Sequence, residues 1–150
     1  RGMSIEGVME TDHISFGGAK LILLIGGKLL VIRRDDRPDI PWPGHLDFPG
    51  GGREGGESPE ICVLRETKEE LGLCLSASDL VWRVQVPGPA GLSVFFAAEF
   101  GPDLARRIVL GGEGQGWELI QPYSYLGHPM AIPHFADRLA DYLSIRGDGR

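Results

Sequence analysis

The 150-residue sequence is poor in cysteine, histidine and net positive charge, and each shortage removes a class of function. Its two cysteines, Cys62 and Cys74, form no CxxC pair and have no zinc-ligand spacing. A disulfide framework is therefore not expected, and both read as reduced core residues of a cytoplasmic protein. The four histidines, at 13, 45, 128 and 134, form neither HxH nor HExxH, which argues against a histidine metal site. A formal net charge of −6 supplies no basic path for a nucleic-acid polymer. Long apolar runs are missing too. The stretch from Leu21 to Ile32 is broken by Gly26-Gly27-Lys28 and is too short to span a bilayer. The first residues lack the basic-then-apolar layout of a secretory signal, and Arg1-Gly2 ahead of Met3 reads as a tag remnant. There is no GxxxxGK[ST] phosphate loop, and Ser93 lacks the second glycine of a nucleophile elbow. Gly50, Gly52 and Gly55 match GxGxxG, but the acid that a dinucleotide fold needs about twenty residues on falls inside a helical segment instead.

That helical segment carries the strongest positive signal. Glu66, Glu69 and Glu70 follow Arg65, and at about 100° per residue three carboxylates at this spacing share one face. They crowd the last turns of the helix, where the macrodipole favours cations. Each unfavourable contribution is on the order of a few tenths of a kcal/mol, and a bound divalent cation would reverse all of them. Arg65 and Lys68 offset part of the repulsion. A solvated acidic face is the bland alternative for three glutamates taken alone.

Local signals bound this helix. Ser58-Pro59 reads as an N-cap and first helical residue, because the serine oxygen satisfies an orphan amide and proline has none to lose. Gly72 suits the left-handed residue that ends a helix. The expected span is Pro59 to Leu71, with Ile61, Leu64 and Leu71 forming most of an apolar stripe. Upstream, the glycines at 50, 51, 52, 55 and 56 allow close backbone turns, giving a loop that feeds a helix.

Gly51, Glu57, Arg65-Glu66, Glu69-Glu70 and Gly72-Leu73 together reproduce G-x5-E-x7-R-E-U-x-E-E-x-G-U, with U apolar, and Phe48-Pro49-Gly50 precedes them. The chain resembles the Nudix hydrolases. Thr67 departs from the pattern, standing where a bulky aliphatic residue is usual. Its methyl can face the core while its hydroxyl bonds back to a carbonyl one turn earlier.

Along the rest of the chain, Ala19–Ile25 and Lys28–Arg33 read as two strands of a hairpin turning at Gly26-Gly27. Residues 38–52 hold four prolines and read as a loop with a short strand at Leu46–Phe48. Leu80–Val86 and Leu92–Phe100 read as strands in central sheet positions, followed by a flexible loop at Gly111–Gly116 and a strand near Trp117–Ile120. Pro133 to about Ile145 shows helical spacing in Phe135, Leu139 and Leu143. No internal repeat is present. Residues up to about 13 and from about 146 to 150 are expected to be mobile tails of one domain spanning residues 1–150. These elements describe an α/β fold. The resemblance sharpens it to the Nudix fold, a mixed β-sheet sandwiched between helices.

The resemblance also implies roles. Glu66, Glu69 and Glu70, with the backbone carbonyl of Gly50, would ligate Mg2+, for which Mn2+ can substitute. Arg65 would hold the carboxylates in register, Glu57 would fasten the loop, and Gly51 and Gly72 would serve the structure of the box. Glu113, in the glycine-rich loop, is the candidate general base, with a box glutamate as the alternative. Arg33 and Arg34, with Arg37 beyond them, are candidate substrate contacts. Trp42, Phe95, Phe96 and Trp117 can stack a base but serve equally as core, so no base reader is assigned. The implied activity is metal-dependent hydrolysis of nucleoside diphosphate-linked compounds. The first choice is a nucleoside triphosphate, including an oxidised one of the 8-oxo-dGTP type, cleaved to monophosphate and pyrophosphate. ADP-ribose or a dinucleoside polyphosphate is the alternative, and a catalytically silent nucleotide sensor is the non-enzyme alternative. The partner is a small nucleotide rather than a polymer or membrane, and a homodimer stays open.

Overall fold

A computed structural model describes residues 15–147. Most of both expected mobile tails lies outside this range, although Arg146 is described and its guanidinium holds Glu99 at 2.8 Å. The elements run β1 (Phe16–Ile25), β2 (Lys28–Arg33), β3 (Leu46–Asp47), β4 (Gly50–Gly52), α1 (Pro59–Leu71), a 3-10 turn (Ala77–Asp79), β5 (Trp82–Gly88), β6 (Gly91–Phe100), a second 3-10 turn (Pro102–Arg107), β7 (Gly116–Ile120), α2 (Pro122–Leu126) and α3 (Pro133–Ile145).

The seven strands form one mixed sheet. Its axis is the parallel pair of β1 and β6, running from Phe16 opposite Leu92 to Ile25 opposite Phe100. On its other edge β1 splits its partners. Leu24 and Ile25 pair with Leu29 and Lys28 of β2, whereas Gly18, Ala19 and Lys20 pair with Gly52, Gly51 and Gly50 of β4. β2 has by then diverged and pairs with β3 through Ile32–Asp47 and Arg33–Leu46. The two short strands therefore wedge open the hairpin where the box begins. The first falls where the sequence places a short strand, at Leu46–Phe48; the second was read as loop, because three consecutive glycines carry no periodicity.

Alternating side chains send β1 and β6 into two cores. Leu21, Leu23, Val94 and Phe96 face α1 through Cys62, Val63 and Leu71. Ile22, Leu24, Phe95 and Ala97 face α3 through Phe135, Leu139 and Leu143. The α/β/α arrangement expected from the sequence is the one observed. β6 is central as expected, but β5 is an edge strand with no buried residue, so its central placement is corrected. Its apolar residues are spent on only one face.

Helix α1 begins and ends where the caps dictate. Ser58 Oγ accepts from the Ile61 amide, Pro59 opens the helix, and Gly72 closes it at φ 69°. Its buried side is different from the expected stripe. Pro59, Cys62, Val63, Thr67 and Leu71 face the core, whereas Ile61 is 57% exposed and Leu64 only partly buried. Thr67 is fully buried, and its Oγ1 donates to the Val63 carbonyl at 2.7 Å, which satisfies the hydroxyl inside an apolar layer. Cys74, expected in the core, is exposed because it lies beyond the helix end; Cys62 is buried.

Candidate active site

The loop preceding α1 and the acidic face of α1 are clasped together by Arg65. Its guanidinium reaches Glu57 through Nε at 2.5 Å, Glu69 at 3.1 Å, Glu66 at 3.3 Å and the Gly52 carbonyl at 2.9 Å. Glu57 also accepts from the Glu54 amide at 2.9 Å, which ties the loop to the helix. The Arg65 bond holds the Glu57 carboxyl below the usual carboxylate range. Gly51 is required here by space. A Cβ on it would stand 2.6 Å from Glu66 Cδ, so only glycine lets that carboxylate lie against the backbone. Gly50 is required by conformation, with φ 131° and a Cβ position 2.1 Å from the Ala19 carbonyl oxygen.

Glu70 is the most desolvated of the box glutamates. Its Oε1 accepts from the Gly50 amide at 2.9 Å. Burial pushes its carboxyl from 4.5 up to about 7, partly opposed by the charge of Lys20. Burial raises Glu66 as well, against Arg65. Carboxyls that stay raised despite a cationic neighbour are the electrostatic mark of a site that favours an added positive charge.

Glu66, Glu69 and Glu70 line a single cavity of about 430 Å³ with Glu54, Gly112 and Glu113. The structure thus brings Glu113, from a loop more than forty residues away, to the face of α1. The loop is held there by backbone bonds from Gly111 to Glu70 and from Val109 to Leu71. Glu54 was not singled out from sequence, although an acid between the box glycines was a visible signal; the structure places it 3.5 Å from Arg65. Five carboxylates around one cavity form an all-oxygen donor set suited to a hard divalent cation. As they stand, no three His, Cys, Asp or Glu side chains among the described residues form a ready ligand set. The physical cause is that Arg65 holds Glu66 and Glu69, and the Gly50 amide holds Glu70, so ligation requires these side chains to turn. The Gly50 carbonyl is likewise engaged, accepting from Lys20 Nζ at 3.0 Å.

A polar cavity of about 280 Å³ leads away from Glu70 and Glu113 to Arg34, Arg37 and Asp47. Beyond it opens an apolar cavity of about 500 Å³ whose walls include Trp42, Phe95, Ile132 and Phe135, with Lys20, Arg34 and Asp47 as its charged residues. Arg34 faces both, while its Nε and Nη1 donate to the Pro41 carbonyl and to Asp47. Arg33 does not reach either cavity. Its guanidinium donates to the Gly44 carbonyl at 2.9 Å and pins the loop, away from the two cavities that Arg34 lines. Strand alternation decides this, since neighbouring residues at the end of β2 point to opposite faces. Phe96 is core on the α1 side and Phe95 floors the apolar cavity. Trp117 packs against the α1-side core. Trp42 is the aromatic the structure singles out: 40% exposed, at φ 52°, edge-on to His45 and 6.3 Å from His134. A non-glycine residue in the left-handed region is uncommon and costs about 1 kcal/mol or more.

The NUDIX domain profile matches residues 17–139. Among curated proteins, the chain is 39% identical over 51 residues to an 8-oxo-dGTP diphosphatase of Haemophilus influenzae, covering 34% of this chain and 38% of that protein. It is 44% identical over 46 residues to an RNA pyrophosphohydrolase of Gluconobacter oxydans, covering 31% and 25%. These matches therefore span well under half of either relative. Among solved structures, a MutT protein from Methanosarcina mazei Go1 superposes with a TM-score of 0.70 at 19% identity, covering 87% of this chain and 94% of that one. A C. elegans Ap4A hydrolase superposes with a TM-score of 0.66 at 19% identity, covering 86% and 97%. Both likenesses are of fold.

Proposed function

The chain belongs to the NUDIX domain family, and from that premise we propose that it is a divalent-metal-dependent hydrolase of nucleoside diphosphate derivatives. The preferred substrate is a nucleoside triphosphate, oxidised forms included, cleaved to a monophosphate and pyrophosphate. The observation that carries the reading is the single cavity bounded by Glu54, Glu66, Glu69, Glu70 and Glu113. So many carboxylates destabilise one another unless a cation is taken up among them. Glu66, Glu69 and Glu70, with the Gly50 carbonyl, are the groups that would hold Mg2+, with Mn2+ as a substitute. When bound, such an ion supplies polarisation of the phosphoanhydride and a more acidic attacking water.

The remaining work falls to the chain's own groups. Arg65 keeps Glu66 and Glu69 on one side of the cavity and is itself anchored by Glu57. Glu113 is the residue proposed to accept the proton of the attacking water, since its loop carries it to the rim of the acidic cavity and leaves it exposed to solvent. Arg34 and Arg37, across the polar cavity from Glu70 and Glu113, are suited to hold the phosphates that do not react. Trp42 and Phe135 offer apolar surface for one base. A triphosphate is favoured over a dinucleoside polyphosphate because, among the described residues, one aromatic-walled cavity continues from the polar cavity next to the acids, and two bases would need two.

Among the described residues no helix is long and apolar enough to cross a membrane; a cytoplasmic location and a small-molecule partner belong to the same proposal. The test is magnesium-dependent release of pyrophosphate or phosphate from a panel of nucleoside triphosphates, ADP-ribose and dinucleoside polyphosphates, with products resolved by mass spectrometry. Pyrophosphate and a monophosphate from a triphosphate are expected. Binding of the panel with no release would identify a sensor and end the enzymatic reading.

A further inference from the structure

Lys20 is the one charged residue of β1, set in an otherwise apolar strand. It stands in register with Gly50, and its ammonium donates to the Gly50 carbonyl at 3.0 Å, the Phe48 carbonyl at 3.3 Å and Asp47 Oδ1 at 2.9 Å. Three donors meet three acceptors, so the ammonium is fixed inside the wedge between β1 and β4. The side chain is only 19% exposed. Asp47 also accepts from Arg34 at 2.8 Å and from the Phe48 amide, so it keeps partners without Lys20. The Gly50 residue stands between opposite charges through its two flanking peptides: its carbonyl oxygen faces Lys20, and its amide donates to Glu70. The field of the ammonium extends further, favouring the ionised forms of both Glu70 and Glu66.

We infer that Lys20 is a built-in competitor of the divalent ion: its ammonium holds the Gly50 carbonyl, one of the groups proposed to hold the ion, and it weakens the binding of that ion. The inference rests on the proposed reading of the acidic cavity as a divalent-metal site. Two cations directed at the same carboxylates repel, and a peptide oxygen shared between them brings them closest. In the metal-free protein the ammonium offsets carboxylate repulsion; in the loaded protein it opposes the ion. Substrate phosphates bring negative charge that can receive the displaced ammonium, so uptake of ion and of nucleotide is coupled through this residue.

The test is Mn2+ binding, followed by electron paramagnetic resonance and calorimetry without nucleotide, to wild type, Lys20→Met, Lys20→Gln and Glu70→Gln. Removing the charge is expected to tighten Mn2+ binding on the order of tenfold, with a lower melting temperature of the metal-free protein and a larger rise on adding Mn2+. A packing role alone predicts weaker binding instead. Unchanged or weaker Mn2+ affinity in a folded Lys20 variant overturns the inference, and Lys20→Gln, which retains donors without charge, decides if Lys20→Met does not fold. If Glu70→Gln leaves wild-type Mn2+ affinity unaltered, the acidic cavity is not the divalent site and both readings fall.

Discussion

The acidic cavity beside α1 and the apolar cavity beside α3 share the wedge of β3 and β4 but are assembled by opposite means. The first draws most of its residues from the continuous segment Gly50–Glu70, ordered by one helix and one arginine. The second gathers Ala19, Trp42, Phe95 and Phe135 from four separate parts of the chain. Charge dominates one and packing the other. Where the chemistry must be held in fixed register, local covalent spacing supplies it; where a variable ligand must be accommodated, the walls come from loops and strand ends that can change independently.

Neutralising one acid of the first cavity breaks the contrast most directly. Glu70→Gln is expected to lower kcat on the order of a thousandfold, the scale of a few kcal/mol of charge stabilisation. Its melting temperature should hold or rise, since a desolvated carboxylate is removed. Circular dichroism read beside turnover checks both, and near-normal turnover would contradict the ligand assignment.

Arg65→Ala should come next, costing about 2 kcal/mol in urea unfolding once its partial exposure is allowed for, because Glu57, Glu66 and Glu69 lose their shared partner. Activity falls with it. A variant as stable as wild type would mean that the clasp is incidental.

On the apolar side the expected change is smaller and of another kind. Trp42→Ala should raise KM by about three- to tenfold through loss of one stacking surface while leaving kcat within about twofold. An equal fall in kcat would place Trp42 with the acidic machinery rather than apart from it.

The gentlest test is pH. Glu70 titrates near 7 when folded and near its ordinary 4.5 when unfolded, so between those values the folded chain binds more protons. Its contribution to metal-free stability is therefore fully present below about 4.5 and is lost as pH rises through about 7. Stability curves of wild type and Glu70→Gln should diverge across that window, wild type falling relative to the variant, and parallel curves would show that Glu70 is not desolvated in solution.

Legibility followed the same division. The caps at Ser58 and Gly72 and the span of α1 were readable because each depends on neighbours within about four positions, and the box residues because they keep fixed spacing within one continuous segment, Gly51 to Leu73. Lys20 and Asp47 were not. A lone lysine in an apolar strand and a lone aspartate between Leu46 and Phe48 carry no spacing signal, and their meeting depends on two strand registers. Trp42 was noticed, but its position at a cavity mouth follows from a left-handed backbone that no tryptophan advertises.

By itself the sequence determined the acidic helix, its ends and the order of the longer strands and helices, though not β4 or α2, since these follow from side-chain spacing and capping chemistry acting over one or two turns. Tertiary structure alone decided that Ile61 and Cys74 face outward, that Arg34 rather than Arg33 reaches the cavities, that β5 lies at an edge and that Glu113 joins the distant glutamates. Those outcomes depend on which face of each element finds a partner, and partners separated by tens of residues are chosen by packing the whole sheet at once.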